Sequence, residues 1–339
     1  MVSKLGVVDN DIILEPSAGE GIFIDEVLET CKTVQIDALD INSDAISILK
    51  KKYEDNTAVV VRETDTLLDE QLDIYSISQL WLKQTDTLFD KQLDMFSSLG
   101  GHYTKVIGNP PYGAWQDYEK RDVLKKKFAG HYVKETYSLF LLRCISVLRM
   151  HGRLSFIIPD TYLFLNMHSR LRELIISNTK IDEILIFPSR FFPGVSFGYS
   201  NLSIITLERC DKKTALEHTF RVIQGFNSSS EFATLLGDEK EYPENLQIFN
   251  FKQSDILENE QCRVILAESK TATLLSQSEQ KLGDVADVVT GFYTGDNLRF
   301  IRAASKYVKG AKNYDVVDPT IVTHCTSLYG IPDIEEGYV

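Results

Sequence analysis

The stretch "DIILEPSAGEGIFIDEVLE", residues 11–29, decides the fold class of this chain. An apolar run leads into Glu15, small residues form a turn, and apolar residues then recur at helical spacing. The stretch "VQIDALDINSDAISILKKKY" at 34–53 repeats the scheme, with an acidic strand end at Asp40. Strand, turn and helix in alternation predict a mostly parallel α/β sheet with helices on both faces.

The same alternation continues along the chain. The runs "TAVVVRETD" and "YTKVIGNPPY" are typical of a third and a fourth strand, at 57–65 and 103–112. A helix with apolar spacing follows at 136–152 and is predicted to stop at Gly152, before the strand "RLSFIIPD". The stretch 181–209 predicts two more strands, joined by a loop of Phe, Pro and Gly.

Composition restricts the classes of protein that this chain can represent. Its 339 residues suffice for one large domain or two smaller ones. The net charge of −13 argues, taken alone, against a nucleic-acid partner, although the run "EKRDVLKKKF" at 119–128 is basic. No stretch approaches the roughly 20 apolar residues of a membrane helix, and the histidines lack metal-ligand spacing. Five scattered cysteines without a CxxC pair indicate reduced thiols in a cytoplasmic protein.

The segment "LEPSAGEG" after the first strand predicts a ligand-binding turn. Small residues let the backbone approach a ligand, and open parallel sheets bind ligands at the carboxyl ends of their strands. The spacing fits neither the dinucleotide pattern GxGxxG nor a P-loop. The acid at Glu15 would repel a phosphate and suits a ligand with an amine. A plain tight turn is the structural alternative.

Asp40 ends the second predicted strand, 25 positions after Glu15. An acid at this place can accept hydrogen bonds from both hydroxyls of a ribose, and Ile41 can cover an adenine face. A helix cap is the alternative for Asp40, although Asn42 or Ser43 can do the same. Glu15 and Asp40 together predict an adenosine cofactor with an amino group and no phosphate, which favours S-adenosylmethionine.

A local repeat leaves two candidates for a third acid. The run "TDTLLDEQLDIYS" at 64–76 returns as "TDTLFDKQLDMFS" at 85–97, which is interpreted as a duplicated surface insertion. Asp65 of the first copy follows an apolar, β-branched run and is favoured as the acceptor for an adenine amino group. Asp86 of the second copy stays the alternative, since only the poorer strand "WLKQTD" precedes it.

The motif "NPPY", residues 109–112, predicts the chemistry. The amino group of adenine is a poor nucleophile because its lone pair is delocalised into the ring. Two acceptors that bind both amino hydrogens would localise that lone pair, and the Asn109 amide oxygen and the Pro110 carbonyl can supply them. The prolines fix the backbone and hold Asn109 out of helical conformation, while Tyr112 can stack on the base. A proline turn with a packed tyrosine is the structural alternative.

At these residues the chain resembles the amino-group DNA methyltransferases. It is most similar to the N6-adenine enzymes of restriction–modification systems in which the cofactor motif precedes NPPY, the gamma order. The resemblance runs from about residue 5 to about 210, and more loosely to 300. It implies a Rossmann-like class I methyltransferase fold with a seven-stranded sheet, and the start of a C-terminal target-recognition region.

The resemblance also implies residue roles. The residues implied to contact the cofactor are Glu15, Ser17, Gly19, Gly21, Asp40, Ile41, Asp65, Thr66 and Asn109. The residues implied to hold the target base are Asn109, Pro110, Tyr112 and Phe192. Phe191 and Phe197 compete with Phe192 for the stacking position, and Tyr137 or Phe140 is expected to face the pocket.

The implied activity is transfer of a methyl group from S-adenosylmethionine to N6 of a flipped adenine in duplex DNA. Phosphate contacts are expected from Arg121, Lys125, Lys126 and Lys127, for which a solvated helix face is the alternative. A cognate restriction endonuclease is the expected protein partner. The expected domains are a catalytic domain at 1–212, a connector at 213–280 and an incomplete target-recognition domain at 281–339.

Two departures from the pattern affect this expectation. Only about ten residues precede "IILEP", where the gamma order usually has a further cofactor-binding segment, and only some forty follow "LGDVADVVTGFYTGDNLRFI". A chain trimmed at both ends is therefore expected. The alternatives are transfer to a protein glutamine amide, transfer to guanine N2 of RNA, and an inactive methyltransferase remnant.

Overall fold

A computed structural model describes most of the first 267 residues. The described ranges are 1–75, 101–113, 118–191, 201–231 and 243–267, with a few isolated positions outside them. The chain forms two compact units, Met1–Leu266 and Ala267–Val339.

A nine-stranded sheet forms the centre of the first unit. Its strands are β1 (Ile12–Glu15), β2 (Gln35–Asp40), β3 (Val59–Glu63), β4 (Tyr103–Gly108), β5 (Leu148–Pro159), β6 (Thr179–Pro188), β7 (Asn201–Arg209), β8 (Thr219–Gln224) and β9 (Gln247–Lys252). Their order across the sheet is β3-β2-β1-β4-β5-β7-β6-β8-β9. The strands from β3 to β5 are parallel, whereas β7 runs antiparallel between β5 and β6.

Helices connect the strands. The described helices are α1 (Val2–Leu5), α2 (Ile22–Thr30), α3 (Ser43–Lys52), α4 (Glu70–Tyr75), α5 (Tyr118–Lys127), α6 (Thr136–Val147), α7 (Ser169–Asn178), α8 (Lys212–Glu217) and α9 (Gln253–Glu258). The side chain of Asn42 caps α3 by accepting hydrogen bonds from the amides of Asp44 and Ala45. The last turn of α3 carries three lysines, whose positive charges interact favourably with the negative end of the helix dipole.

Neighbouring residues of each strand point to opposite faces of the sheet, which creates two apolar layers. Ile13 of β1 belongs to the cluster that packs with α1, α2 and α3, whereas Leu14 belongs to the larger cluster around α6 and α7. All twelve residues of α6 are buried, and so are all six of β4. The core of the first unit therefore lies around β4 and α6.

The predicted α/β sheet, mostly parallel with helices on both faces, is confirmed. The sheet has two more strands than predicted, because β8 pairs in parallel with β6 and β9 pairs antiparallel with β8. Both lie in the stretch 213–280, for which a connector and peripheral elements are predicted. The predicted boundaries of the catalytic and target-recognition domains stay a prediction.

In the second unit, the described residues include one short antiparallel pair of strands. These are β10 (Arg302–Ala303) and β11 (Gly337–Tyr338). Most of the predicted target-recognition region at 281–339 lies outside the described residues.

Candidate active site

The predicted site residues lie at the carboxyl ends of neighbouring parallel strands. Glu15 ends β1 and pairs in register with Ala38 of β2, two residues before Asp40. β4 lies on the other side of β1, with Leu14 opposite Val106, and leads directly into Asn109. The topology therefore brings the three motifs of the sequence to one edge of the sheet.

Glu15 is a buried carboxylate with an unused acceptor. Its side chain is 2% exposed, and among the described residues its Oε2 has no hydrogen-bond partner. Burial raises the pKa of Glu15 well above its usual range, and the nearby carboxylates of Asp25 and Asp40 raise it further. An unpaired buried acid is costly, and a cationic group bound beside it would offset that cost. The Glu15 environment therefore fits a ligand with an ammonium group.

The turn after β1 folds back onto the end of β2. The amide of Ala18 donates to the carbonyl of Leu39 at 2.8 Å, and the amide of Gly19 donates to Asp40 Oδ2 at 2.8 Å. Gly19 has a positive φ of 52°, and a Cβ at this position would meet no atom within 4 Å. Gly19 therefore borders open space at the turn that follows β1.

Gly21 has a different environment. It has a φ of 79° and precedes α2, and a Cβ at this position would lie 2.8 Å from both Leu49 Cδ2 and Tyr53 Oη. The Tyr53 hydroxyl contacts the Gly21 carbonyl at 3.1 Å and Asp25 Oδ1 at 2.7 Å. Packing of α2 against α3 therefore requires glycine here.

The carboxylate of Asp40 is held by two backbone amides, those of Gly19 and Asn42, each at 2.8 Å. Each carboxylate oxygen keeps a further lone pair, so the group can still accept hydrogen bonds from two hydroxyls. Ile41 beside it is 63% exposed. The pair fits the ribose and adenine contacts predicted for it.

Thr66 and Asp65 have different partners. Thr66 is 2% exposed, and its hydroxyl donates to the Pro16 carbonyl at 2.5 Å, so it joins this segment to the Glu15 turn. Asp65 accepts from the amide of Leu67 at 3.1 Å and forms an ion pair with Lys120 of α5 at 2.6 Å. The alternative acid, Asp86, lies outside the described residues.

The NPPY loop is connected by a hydrogen bond to the turn that follows β1. The Ser17 hydroxyl donates to the backbone carbonyl of Asn109 at 3.2 Å, and the Tyr112 hydroxyl donates to the Asn109 side-chain oxygen. Thr136, at the start of α6, donates to the Gly113 carbonyl. Burial raises the pKa of the Tyr112 hydroxyl, so it stays protonated and able to donate. The loop is therefore fixed at both ends.

The predicted aromatic residues lie in several environments. Phe191 is half-buried and packs, like Tyr112, against the apolar cluster that contains Ile157 and Leu202. Tyr137 and Phe140 both lie in the core, and the Tyr137 hydroxyl contacts Thr161 Oγ1 and His168 Nε2. Both are therefore core residues in the described structure. The favoured Phe192 and its competitor Phe197 lie outside the described residues.

Two buried charged residues are not among the predicted ones. Arg143 of α6 is 1% exposed and donates to the carbonyls of Thr66 at 3.3 Å and Asp69 at 2.7 Å. Asp160 follows β5, is 6% exposed, and accepts from the Asn201 amide at 3.2 Å. A single arginine in an otherwise apolar helix, and an acid directly after an apolar strand, were the signals in the sequence for these two residues.

The basic run on α5 is only partly available to a ligand. Lys127 pairs with Asp73 at 2.7 Å, and Lys125 pairs with Asp122 of its own helix at 3.0 Å. Lys126 is exposed. In the described part of the chain, no helix is long and apolar enough to cross a membrane.

The sequence of this chain is similar to one protein family model and to several known methyltransferases. Residues 30–192 match the family model "Eco57I restriction-modification methylase". The Type II methyltransferase M.AccI of Acinetobacter calcoaceticus is 22% identical over 340 positions, covering 96% of this chain and 55% of that protein. M.HincII of Haemophilus influenzae is 25% identical over 234 positions, covering 64% and 38%. The chain thus spans about half, or less, of the length of these curated relatives.

A solved structure supports the fold. The modification subunit ascribed to a type I restriction enzyme of Vibrio vulnificus YJ016 matches with a TM-score of 0.51 at 16% identity, over 73% of this chain and 51% of that chain. This likeness and the order of the sheet identify the class I methyltransferase fold. Within that fold, residues 30–192 of the chain are similar to the Eco57I restriction-modification methylase family.

Proposed function

We propose that this chain transfers a methyl group from S-adenosylmethionine to the exocyclic N6 of adenine in duplex DNA, as the modification activity of a restriction–modification system. The observation that carries the proposal is the contact between the two loops. Ser17 of the turn after β1 holds the backbone of Asn109 in the NPPY loop. A cofactor on the first loop and an amino group on the second would therefore be close together.

S-adenosylmethionine fits the cofactor side of the site and, when bound, supplies an electrophilic methyl group. Glu15 binds the ammonium of its methionine end, since Oε2 is buried and has no partner among the described residues. Gly19 lets the backbone approach the ligand, Asp40 accepts from the ribose hydroxyls, and Ile41 covers the adenine. Asp65 accepts from the adenine amino group. Thr66 and Ser17 hold the two loops in place, since their hydroxyls donate to the backbone carbonyls of Pro16 and Asn109.

On the substrate side, the target adenine leaves the base stack because its amino group is otherwise unreachable. Asn109 Oδ1 and the Pro110 carbonyl accept its two amino hydrogens and hold the nitrogen for in-line attack. In the present arrangement the Tyr112 hydroxyl donates to that same Asn109 oxygen. The amino group of the base therefore replaces Tyr112 as donor, and the ring of Tyr112 then stacks on the base together with Phe192.

The proposed partners follow from this activity. Duplex DNA is the substrate, with Lys125 and Lys126 of α5 as phosphate contacts, and a restriction endonuclease is the cognate enzyme of the system. Arg121 and Lys127 contribute less to DNA binding, since Lys127 is engaged by Asp73 and Arg121 is half-buried. A cytoplasmic location follows from a chromosomal substrate.

The test is transfer of a labelled methyl group to genomic DNA that lacks methylation, followed by identification of the labelled nucleoside. We expect label on N6-methyladenine with the wild type and a loss of about 10²-fold or more with Asn109→Ala. Calorimetry with S-adenosylmethionine accompanies the assay, and Asn109→Ala, which also removes one of the implied cofactor contacts, is expected to lower cofactor affinity far less than it lowers methyl transfer.

Three outcomes would contradict the proposal. Equal transfer by wild type and Asn109→Ala would remove the NPPY loop from the chemistry, and label on cytosine alone would exclude adenine. Label on glutamine of a protein substrate but not on DNA would favour the protein methyltransferase, an alternative that the net charge of −13 suits. A cooperatively folded protein that binds no cofactor would be an inactive remnant.

A further inference from the structure

The cations of α5 lie on two sides of the helix. Lys120 and Lys127 are seven residues apart, so about two turns separate them and they share a face. Lys125 and Lys126 follow Lys120 by five and six positions, which places them about 140° and 240° around the helix axis. One side of α5 therefore carries Lys120 and Lys127, and the other carries Lys125 and Lys126.

The first side is fastened to the segment that follows β3. Lys120 Nζ lies 2.6 Å from Asp65 Oδ2, and Lys127 Nζ lies 2.7 Å from Asp73 Oδ1. The buried guanidinium of Arg143 also forms an ion pair with Asp73, with Nη1 lying 2.7 Å from Oδ1. Because the two lysines lie near opposite ends of α5, the whole helix is fixed relative to Asp65.

The segment from Asp65 to Asp73 is itself fixed to the cofactor turn. The Thr66 hydroxyl donates to the Pro16 carbonyl, and Arg143 donates to the carbonyls of Thr66 and Asp69. Asp69 in turn caps α4 by accepting from the Leu72 amide at 2.8 Å. A displacement of Asp65 would therefore displace α5, and a displacement of α5 would displace Asp65.

Lys120 orients the Asp65 carboxylate without using all of its acceptors. An ionised carboxylate has about four lone-pair positions. The Leu67 amide and Lys120 take one on each oxygen. The side chains of Asp65 and Lys120 are 20% and 26% exposed, so the remaining positions can be reached by a ligand.

We propose that Lys120 is a positioning residue for the adenine end of the cofactor, and that α5 couples cofactor binding to DNA binding. This inference rests on the proposed function and adds its regulation. Lys120 fixes the acceptor Asp65 from the inner side of α5, while Lys125 and Lys126 present the outer side to DNA phosphates. Cofactor binding thereby favours the helix position that binds DNA, and DNA favours the acceptor position that binds the cofactor.

The second side of α5 is suited to phosphates. Lys126 is exposed, and the Lys125 side chain is 58% exposed, with only the solvent-accessible Asp122 of the same helix as its ion-pair partner in the described structure. An exposed pair of this kind is weak and is easily exchanged for a phosphate.

The experiment measures the affinity for S-adenosylhomocysteine by calorimetry, with and without an unmethylated duplex, on the 339-residue chain. This probe carries the same adenine end and cannot react. The wild type is expected to bind it about fivefold or more tightly when DNA is present. Lys120→Gln is expected to bind about fivefold more weakly without DNA and to lose most of the gain from DNA. Lys120→Arg, which keeps the charge, is expected to restore both.

Two further variants separate the sides of the helix. Lys126→Gln is expected to leave cofactor affinity without DNA unchanged, to weaken DNA binding, and to reduce the slope of log affinity against log salt by about one. Lys213→Gln on α8, an exposed lysine on another helix, is the matched control and is expected to change neither affinity.

The outcomes distinguish this inference from the proposed function. A wild type that binds no S-adenosylhomocysteine and transfers no methyl group overturns both. A wild type that binds and methylates DNA, but shows no gain in cofactor affinity with DNA, overturns only the coupling. Wild-type affinity and coupling in Lys120→Gln would remove Lys120 from any positioning role.

Discussion

The hydroxyl of Ser17 donates a hydrogen bond of 3.2 Å to the backbone carbonyl of Asn109. The two residues are 92 positions apart in the chain and belong to loops that follow two adjacent strands, β1 and β4. The bond fixes the backbone of the residue that is proposed to hold the target amino group. Through the same bond, a ligand that moves the first loop would also move the second loop.

Ser17→Ala tests this connection. Loss of one partly buried hydrogen bond costs about 1 kcal/mol, and if the whole loss falls on the transition state, kcat decreases about fivefold. The control is Ser47→Ala on α3, whose hydroxyl donates to the Ser43 carbonyl at 2.9 Å on an exposed surface. Single-turnover methyl transfer is the measurement. Unchanged kcat in Ser17→Ala would show that the bond does not position Asn109 for transfer.

Gly21→Ala is expected to destabilise the fold more than Gly6→Ala. Both glycines have a positive φ, 79° and 64°, so both substitutions carry the cost of a left-handed residue, about 1–2 kcal/mol. At Gly21 the new methyl group would also collide with Leu49 and Tyr53, which adds roughly 1–3 kcal/mol, whereas at Gly6 no atom lies within 4 Å. Urea unfolding of both variants measures the difference, and equal losses would contradict the packing role assigned to Gly21.

Glu15→Gln is expected to stabilise the ligand-free protein increasingly as the pH rises. Burial and the nearby acids raise the pKa of Glu15 above its ordinary value of 4.5, so the folded state holds this proton more tightly than the unfolded chain. The wild type therefore loses stability relative to the variant as pH increases from about 4.5 through the raised pKa. Unfolding free energies of both proteins between about pH 5 and pH 8 give the measurement.

The same variant should lose cofactor affinity, because the ammonium of the ligand would have no carboxylate partner. Cofactor binding by the wild type should release a proton at pH values below the raised pKa, which calorimetry in buffers of different ionisation enthalpy detects. A difference in stability that does not change with pH would show that Glu15 ionises normally in the folded protein.

Asp65→Asn and Asp86→Asn decide which copy of the repeat supplies the third acid. Asp65 lies beside the cofactor turn through Thr66 and Pro16, so its substitution is expected to weaken cofactor binding about tenfold, or about 1.4 kcal/mol. The equivalent change in the second copy should leave the affinity unchanged. A loss in Asp86→Asn alone would exchange the two assignments.

Much of the fold follows from local patterns in the sequence. The apolar run before Glu15 and the runs that end at Asp40 and Gly108 all form the predicted parallel strands. The sequence did not predict β8 and β9, because the long polar stretch between them interrupts the alternation of strands and helices. In β9, "QIFNFK", the last four residues alternate apolar and polar side chains, which is the pattern of a half-buried strand.

The site was less accessible to sequence reasoning, because its details depend on contacts between distant segments. The sequence singles out both Gly19 and Gly21, but only the folded arrangement shows that Gly19 borders open space and Gly21 packs against α3. Likewise, the ion pair of Lys120 with Asp65 joins two segments with no shared motif. A charged residue in a sequence indicates an ion pair or a hydrogen bond, but it does not show which residue is the partner.

The two additional strands change the border of the sheet. In a sheet that ended at β6, an apolar strand would present its unpaired amides and carbonyls, which invites pairing with strands of other molecules. β8 covers that strand, and the last strand of the described sheet is then β9, whose exposed positions are Gln247, Ile248, Asn250 and Lys252. Three of these four positions are polar and the strand ends in a lysine, so β9 is a poorer template for association through the sheet than a fully apolar strand would be.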